Sequence, residues 1–400
     1  MCGIMNAKGE LNMRILNPYR PGAGLMPGVL AGREELIADA TERFDALIKG
    51  IPMQSIALSG YRGVGKTVLI NKLQEIAGEM GISCYHIEAE RNNSFVSKLS
   101  DCSRKFIRQN SLAAKFAGLV DSALDAIKAL EITYSPSDNN VSISMRDMAL
   151  YKNSDLSQGL QDLFAAIGEL AKKKETAICF FIDEFQYVEQ DEISAFVSAL
   201  HRANQLGYLV MAICAGTPEM LKKLYKEKTY AERQFIFPKL DMLDKDAVAY
   251  AIEVPGKKVG LTFDGDALEE IYKITKGYPY FVQQYGQILC NKVNEDKHIT
   301  INQVRDIVDQ YYTELDKNFY MIRFEDRGAL EKECLIAIAS AKSLPCDSYF
   351  VAKQTNRTKK QVAPTLSRLK NKGLITYDDD NTIDFTVPGF TEFLQRNHVL

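Results

Sequence analysis

Tryptophan is missing from this 400-residue sequence, histidine occurs four times, and no uninterrupted apolar stretch approaches about 18 residues. Each shortage excludes something. His86, His201, His298 and His398 lie far from any close Cys/His spacing, which argues against a dedicated zinc site. The eight cysteines form no C-x-x-C pair, and Cys179 and Cys214 fall inside apolar, strand-like runs. They read as reduced core thiols of a cytosolic protein. Met1-Cys2-Gly3-Ile4 offers no basic stretch followed by an apolar one, so a cytoplasmic location with no membrane partner is expected. The net charge of -3 exerts no global pull on nucleic acid, which leaves only a local patch for such a partner. With 46% hydrophobic and 25% charged residues, the chain has core enough for two or three folded domains.

What is present is a phosphate loop. Gly60-Tyr61-Arg62-Gly63-Val64-Gly65-Lys66-Thr67 fits G-x-x-x-x-G-K-[ST]. The apolar run Gln54–Ser59 before it suits a buried strand, and Val68-Leu69-Ile70-Asn71-Lys72-Leu73 continues with helical periodicity. The chemistry demands these residue types. Gly60, Gly63 and Gly65 allow positive φ and a close backbone approach, so that N–H groups from Gly60 through Val64 to Val68 converge on an anion at a helix start. Lys66 would lie along the β- and γ-phosphates, and the Thr67 hydroxyl would ligate Mg²⁺. ATP or ADP with Mg²⁺ is the implied cofactor.

Residues 1–16 form a mixed N-terminal extension, and the turn-rich Asn17–Gly28 leads into a helix to about Lys49. Strands at Ser83–Glu88, Ala177–Ile182, Tyr208–Ala215 and Gln234–Phe237 alternate with helices near 156–173 and 191–206, which predicts a parallel sheet covered on both faces over 17–240. An insertion at about 92–155 interrupts the alternation with helices near 95–130 and a hairpin expected from Ile132 to Met145. Beyond residue 240 strands are expected to stop. Helices near 244–254, 264–276, 279–293 and 301–316 make a small helical domain, 241–317. In 318–400, three helices and the strand pair Gly373–Tyr377 and Ile383–Val387 have the order of a winged helix-turn-helix.

Cys179-Phe180-Phe181-Ile182-Asp183-Glu184 is an apolar strand ending in two carboxylates, downstream of the phosphate loop where a second acidic motif belongs. Asp183 would support Mg²⁺ through its water shell and Glu184 would polarise the attacking water. With Lys66 they make a hydrolytic set.

Several segments together resemble the origin-recognition-complex-like branch of AAA+ ATPases, bacterial and archaeal AAA ATPase domain proteins with a C-terminal winged helix. They are Gly32-Arg33-Glu34, the loop Gly60–Thr67, Asp183-Glu184-Phe185-Gln186, Ala215-Gly216-Thr217-Pro218, Tyr230-Ala231-Glu232-Arg233 and Gly277-Tyr278-Pro279-Tyr280, and the likeness spans about 17–400. The resemblance implies an α/β fold, a P-loop NTPase αβα sandwich of AAA+ type, with the 241–317 helices as lid. It implies that Val29, Leu30 and Arg33 flank adenine, and that Pro279 packs near it as in the related STAND signalling ATPases. Thr217 would stand at the sensor-1 position, facing the γ-phosphate or the attacking water, or else cap the helix at Pro218-Glu219. Arg233 would be an arginine finger acting on a neighbour in a homo-oligomer, or else a surface arginine paired with Glu232. Replication initiators usually carry an arginine near the start of this lid helix. This sequence has Tyr278, Pro279, Tyr280 and Phe281, which leaves room for a slow, nucleotide-held switch.

Between Ser348 and Tyr377 stand seven basic residues (Lys353, Arg357, Lys359, Lys360, Arg368, Lys370, Lys372) and no acid. As a recognition helix, Lys360–Lys372 would present Lys359, Lys360, Gln361, Thr365 and Arg368 to duplex DNA. Pro364 is expected in its first turn. Against DNA stand Asp378, Asp379 and Asp380 in the wing, and a winged helix also serves as a docking surface for protein.

Overall fold

The computed structural model of the chain describes residues 4–5, 11–12, 16–22, 24–91, 93–110, 117–134, 155–227, 231–293, 297–377 and 381–397. The chain divides into two compact units, one of Arg33–Gly60 with Lys66–Leu240, the other of Met1–Gly32, Tyr61–Gly65 and Asp241–Leu400. The ends of the phosphate loop belong to the first unit and its middle to the second.

In the first unit a parallel sheet runs in the order Ser83–Glu88, Ile178–Asp183, Val210–Gly216, Ser55–Gly60, Phe235–Ile236. All residues of the three central strands are buried, as expected for a parallel sheet covered on both faces. The alternation of side chains shows the two faces. Phe181 meets Phe44 of the helix Glu34–Ile48 with centroids 6.4 Å apart, whereas the neighbouring Phe180 stacks on Phe164 of Leu156–Lys173 at 5.6 Å. Helices Phe95–Asn110 and Gln190–Gln205 share the Phe164 side. Ser59 lies opposite Gly216 and Ile182 opposite Cys214, so Gly60, Asp183 and Thr217 emerge at one edge, the carboxyl ends of the strands. Burial pushes the thiols of Cys179 and Cys214 up, in keeping with packed core positions. The insertion contains the helices Phe95–Asn110 and Ala117–Tyr134. The hairpin expected at 132–145 begins in the last turn of that second helix, and the rest of it lies outside the described residues.

The second unit holds the lid helices Lys245–Lys257, Gly265–Thr275 and Pro279–Lys292, then Ile301–Arg305 and Val308–Leu315 in place of one helix over 301–316. Strands do not stop at residue 240. Thr262–Phe263 pairs in parallel with His298–Ile299, tying the first lid loop to the fourth helix. At the C-terminal end the helices Ala329–Ala339, Ser348–Gln354 and Lys359–Asn371 join a three-stranded antiparallel sheet, the arrangement of a winged helix. Its extra strand, Cys346–Asp347, is too short to show periodicity in the sequence. The acidic turn 378–380 lies outside the described residues.

Lid and winged helix share one apolar core, which runs from Tyr19 to Leu394. Phe281 of the lid lies 5.1 Å from Phe319, Phe319 lies 5.2 Å from Tyr320, and Tyr320 stacks on Phe393 at 5.2 Å. Aromatic pairs of this kind add about 0.5–1.5 kcal/mol each beyond area burial. The consequence is mechanical: the lid helices and the winged helix are one body. No described helix is long and apolar enough to cross a membrane.

Candidate nucleotide site

The loop geometry follows from its glycines. Gly63 and Gly65 have φ of 82° and 94°, values that favour glycine. A Cβ added at Gly65 would meet nothing within 4 Å, so that side of the loop is open. Lys66 is buried and its Nζ donates to the Gly60 carbonyl at 2.9 Å, holding the ammonium across the loop.

From Thr67 a chain of hydrogen bonds crosses the sheet edge. The Thr67 hydroxyl donates to Asp183 Oδ2 at 2.6 Å, and Asp183 Oδ1 accepts from the Glu184 N–H at 2.8 Å. Asp183 is buried at the strand end; Glu184 follows in the left-handed region at φ 54°, which turns its carboxylate out of the strand direction. Gln186 then connects two elements. Its amide N–H donates to Glu184 Oε2, and its Oε1 accepts from the Thr217 backbone N–H at 3.0 Å. The side chain fits because Gly216 has no Cβ: one placed there would stand 2.8 Å from Gln186 Oε1. The hydroxyl of Thr67 and the carboxylate of Asp183, meeting at the strand end, are donor types that suit a magnesium nucleotide.

Thr217 is the N-cap of Pro218–Lys226, yet its side chain makes no cap hydrogen bond. Arg233 is exposed on the short helix Ala231–Gln234; its carbonyl accepts from Gln54 Nε2 at 3.2 Å, and no carboxylate among the described residues pairs with its guanidinium. Val29, Leu30 and Pro279 are half-buried in the second unit, with Pro279 at the first position of its helix. Arg33 caps the helix Glu34–Ile48 in the first.

Within the second unit the middle of the loop is gripped from outside. The Tyr278 hydroxyl donates to the Arg62 carbonyl at 3.2 Å, and a Cβ on Gly63 would fall 1.7 Å from that hydroxyl. Arg62 Nη1 donates to the Lys372 carbonyl at 3.2 Å, and Gly373 at φ 69° makes room for the Arg62 side chain. The loop middle therefore touches both the lid start and the turn that follows the basic helix.

That basic helix begins at Lys359, one residue before the earliest expected start, because Thr358 and Gln361 form a capping box. Pro364 is then its sixth residue rather than part of its first turn. The N–H it lacks would have served the carbonyl of exposed Lys360, where water substitutes at small cost. Thr365 is buried and so cannot face a groove; its hydroxyl accepts from Arg368 Nη2 at 2.9 Å. The Gln361 side-chain oxygen is taken up by the cap. Glu331 is a buried carboxylate that receives Lys372 Nζ at 2.9 and 2.8 Å, with Arg368 Nε at 3.6 Å. Burial pushes its pKa up, but the Lys372 hydrogen bond, the Gly328 N–H and the charges of Lys372 and Arg327 together hold it below the ordinary value. Arg357 pairs with Glu333 at 2.5 Å. The basic surface is thus narrower than its sequence: Lys353, Lys359 and Lys360 are exposed, and Lys359 lies 5.7 Å above the ring of exposed Tyr349.

Two roles escaped the sequence. Gln186 was legible only as part of a motif, although its place two residues after Glu184 hints at a partner. The grip on Arg62 and Gly63 has no local signal, since it depends on residues more than 200 positions away.

Comparisons with known proteins agree with this architecture. Residues 29–212 match the AAA ATPase domain family and residues 317–394 match a domain of unknown function, DUF8462. No curated protein matches the chain. Among solved structures, a Walker-type ATPase of Pyrococcus abyssi is similar with a TM-score of 0.52 at 16% identity, covering 92% of this chain and 96% of that one. The likeness shows a shared fold over nearly the whole length. The ORC1 protein of Aeropyrum pernix in complex with DNA gives 0.47 at 11% identity (93% and 94% covered), and Cdc6p of Pyrobaculum aerophilum 0.46 at 15% (94% and 97%).

Proposed function

We propose that the chain binds ATP with Mg²⁺ and hydrolyses it slowly, as an origin-recognition-like AAA+ protein whose nucleotide state controls its winged helix. The hydrogen-bonded line Thr67–Asp183–Glu184–Gln186–Thr217 carries this reading. Lys66 and the loop N–H groups bind the phosphates. Thr67 and Asp183 hold the metal, which when bound supplies charge neutralisation at the phosphates. Glu184 accepts the proton of the attacking water, and Gln186 aims its carboxylate. Thr217 contacts the γ-phosphate or that water. Val29, Leu30, Arg33 and Pro279 flank adenine, and exposed Arg233 completes a neighbour's site in a homo-oligomer. Gln186→Ala is expected to lower kcat by about tenfold with ATP affinity unchanged, because aim is lost and not binding. Steady-state turnover beside equilibrium titration checks it, and equal loss in both would contradict the positioning role.

The partner on the winged helix is duplex DNA, held by Lys353, Lys359 and Lys360 with Arg368 at the edge. Lys359→Glu with Lys360→Glu is expected to weaken duplex binding at least about tenfold at low salt and to flatten its salt dependence. Undiminished affinity in that double variant would favour the second reading, a STAND-like switch docking protein. The ion pairs that occupy Arg357 and Lys372 speak for that alternative.

A further inference from the structure

The second unit contains a cavity of about 600 Å³ where the middle of the phosphate loop, the lid and the winged helix meet. Its apolar wall comes from Val64 of the loop, Met242 of the lid, and Leu344, Phe385 and Phe390 of the winged helix, with Tyr61 beside them. That wall is fixed in advance. Phe385 stacks on Phe390 at 4.8 Å, the Thr386 hydroxyl donates to the Gly373 carbonyl at 2.6 Å, and the Tyr320 hydroxyl donates to the Pro388 carbonyl at 2.6 Å. Gly389, at φ 84°, lets the last of these contacts form, since a Cβ there would lie 2.5 Å from the Tyr320 hydroxyl. A preformed cavity of this size, largely apolar and with a small number of charged groups, has the ordinary form of a small-molecule site.

Charge decides what the cavity accepts. Asp241, Asp384 and Glu392 line it against a single ammonium, that of Lys276, which pairs with Glu392. Asp384 is half-buried; its Oδ1 accepts from the Phe385 N–H at 2.7 Å, and no cation pairs with it among the described residues. Burial pushes its carboxyl above the ordinary value, as befits a charge short of a counter-ion. Among the described residues no three His, Cys, Asp or Glu side chains converge as a metal site needs, so the cation that suits Asp384 is an organic one whose own bulk fills the cavity. The rings of Tyr61 and Phe385 add to that preference, because aromatic faces attract cations. The same carboxylates oppose a phosphate, which sets this cavity apart from the anion-binding N–H groups of the loop.

We propose that this cavity binds a small organic ammonium ion with an apolar body, its N–H groups donating to Asp384 and its body packed on Met242, Leu344 and Phe385. The ligand is separate from the nucleotide, and the site lies wholly within one compact unit. Because Tyr61 and Val64 form part of the wall, occupancy steadies the loop middle in the conformation that Tyr278 grips at Arg62. The site is thus placed to act on the loop as an effector site.

The test uses the full chain without nucleotide, at constant ionic strength, with phenethylamine as the probe and phenethyl alcohol as its neutral counterpart. Wild type, Asp384→Asn and Thr391→Phe are titrated with both, alongside melting without ligand. Asparagine keeps an oxygen for the Phe385 N–H and removes the charge; Thr391 lines the cavity, so phenylalanine there fills it and leaves the acids alone. Wild type is expected to bind the amine at least about 10-fold more tightly than the alcohol. Asp384→Asn should weaken the amine about 10-fold with the alcohol within about twofold and melting within about 2 °C of wild type, and Thr391→Phe should lose both ligands. Amide exchange with the amine bound should slow at Tyr61–Val64 and at Asp384–Phe390. Equal affinity for amine and alcohol in wild type would overturn the proposal, as would undiminished amine binding in Asp384→Asn or protection elsewhere in the chain. Should Asp384→Asn melt well below wild type, Thr391→Phe decides, and amine binding retained there would overturn it. All of these failures leave the nucleotide reading standing, since no nucleotide is present.

Discussion

Glu184→Gln is expected to reduce ATP turnover by about 10²- to 10⁴-fold while leaving ATP affinity within a small factor of wild type. The Glu184 carboxylate follows the strand end in the left-handed region, turned out of the strand direction, and in the proposed reaction glutamine could not accept the proton. The substitution is otherwise conservative, since the new amide keeps an oxygen for the Gln186 N–H to bond. Asp183 and Thr67 stay paired, so the groups proposed to hold metal and phosphate are untouched. Single-turnover hydrolysis beside equilibrium titration separates the two quantities. Undiminished turnover would remove Glu184 from the chemistry.

Gly277→Ala is expected to destabilise the second unit by about 3 kcal/mol or more, a melting loss of about 10 °C. Gly277 sits at φ 69°, its carbonyl accepts from the Leu243 N–H at 2.8 Å, and a Cβ there would lie 2.0 Å from the Leu243 carbonyl oxygen. That oxygen is backbone and cannot turn aside as a side chain would. The turn also sets the start of the helix Pro279–Lys292 and with it Tyr278. Melting within about 2 °C of wild type would show that the turn relaxes and the close approach is not a constraint.

The parallel sheet and the hydrogen-bonded carboxyl ends of its strands were legible because their signals are local. A buried strand must be apolar along its whole length, and glycines must stand where backbone approaches an anion, so Ile178–Asp183 and Gly60–Thr67 identify themselves. The lid helices were legible for the same reason, through their apolar spacing and the Pro279 start. The winged helix was read in order but not in surface. Thr365 was placed toward DNA because the hydrophobic stripe Val362, Leu366, Leu369 does not by itself settle which side a flanking threonine takes, and the fold buries it. The pairing of Glu331 with Lys372 was invisible because it joins the first and third helices across 41 residues. Likewise, nothing in the run Asp316–Tyr320 announces a π turn, and the shared core of lid and winged helix depends on aromatic residues far apart in the chain, Phe281 meeting Phe319 and Tyr320 meeting Phe393.

The central claim is that the phosphate loop reports its occupancy to the C-terminal unit through Arg62 and Tyr278. Amide hydrogen exchange of the Glu184→Gln protein, with and without ATP and Mg²⁺, tests it most directly. The account predicts that exchange changes together at Gly60–Thr67, at Tyr278–Phe281 and at Lys372–Leu374. Protection confined to the loop and the strand ends at Asp183 and Thr217, with the lid start and the Lys372 turn unchanged, would contradict it.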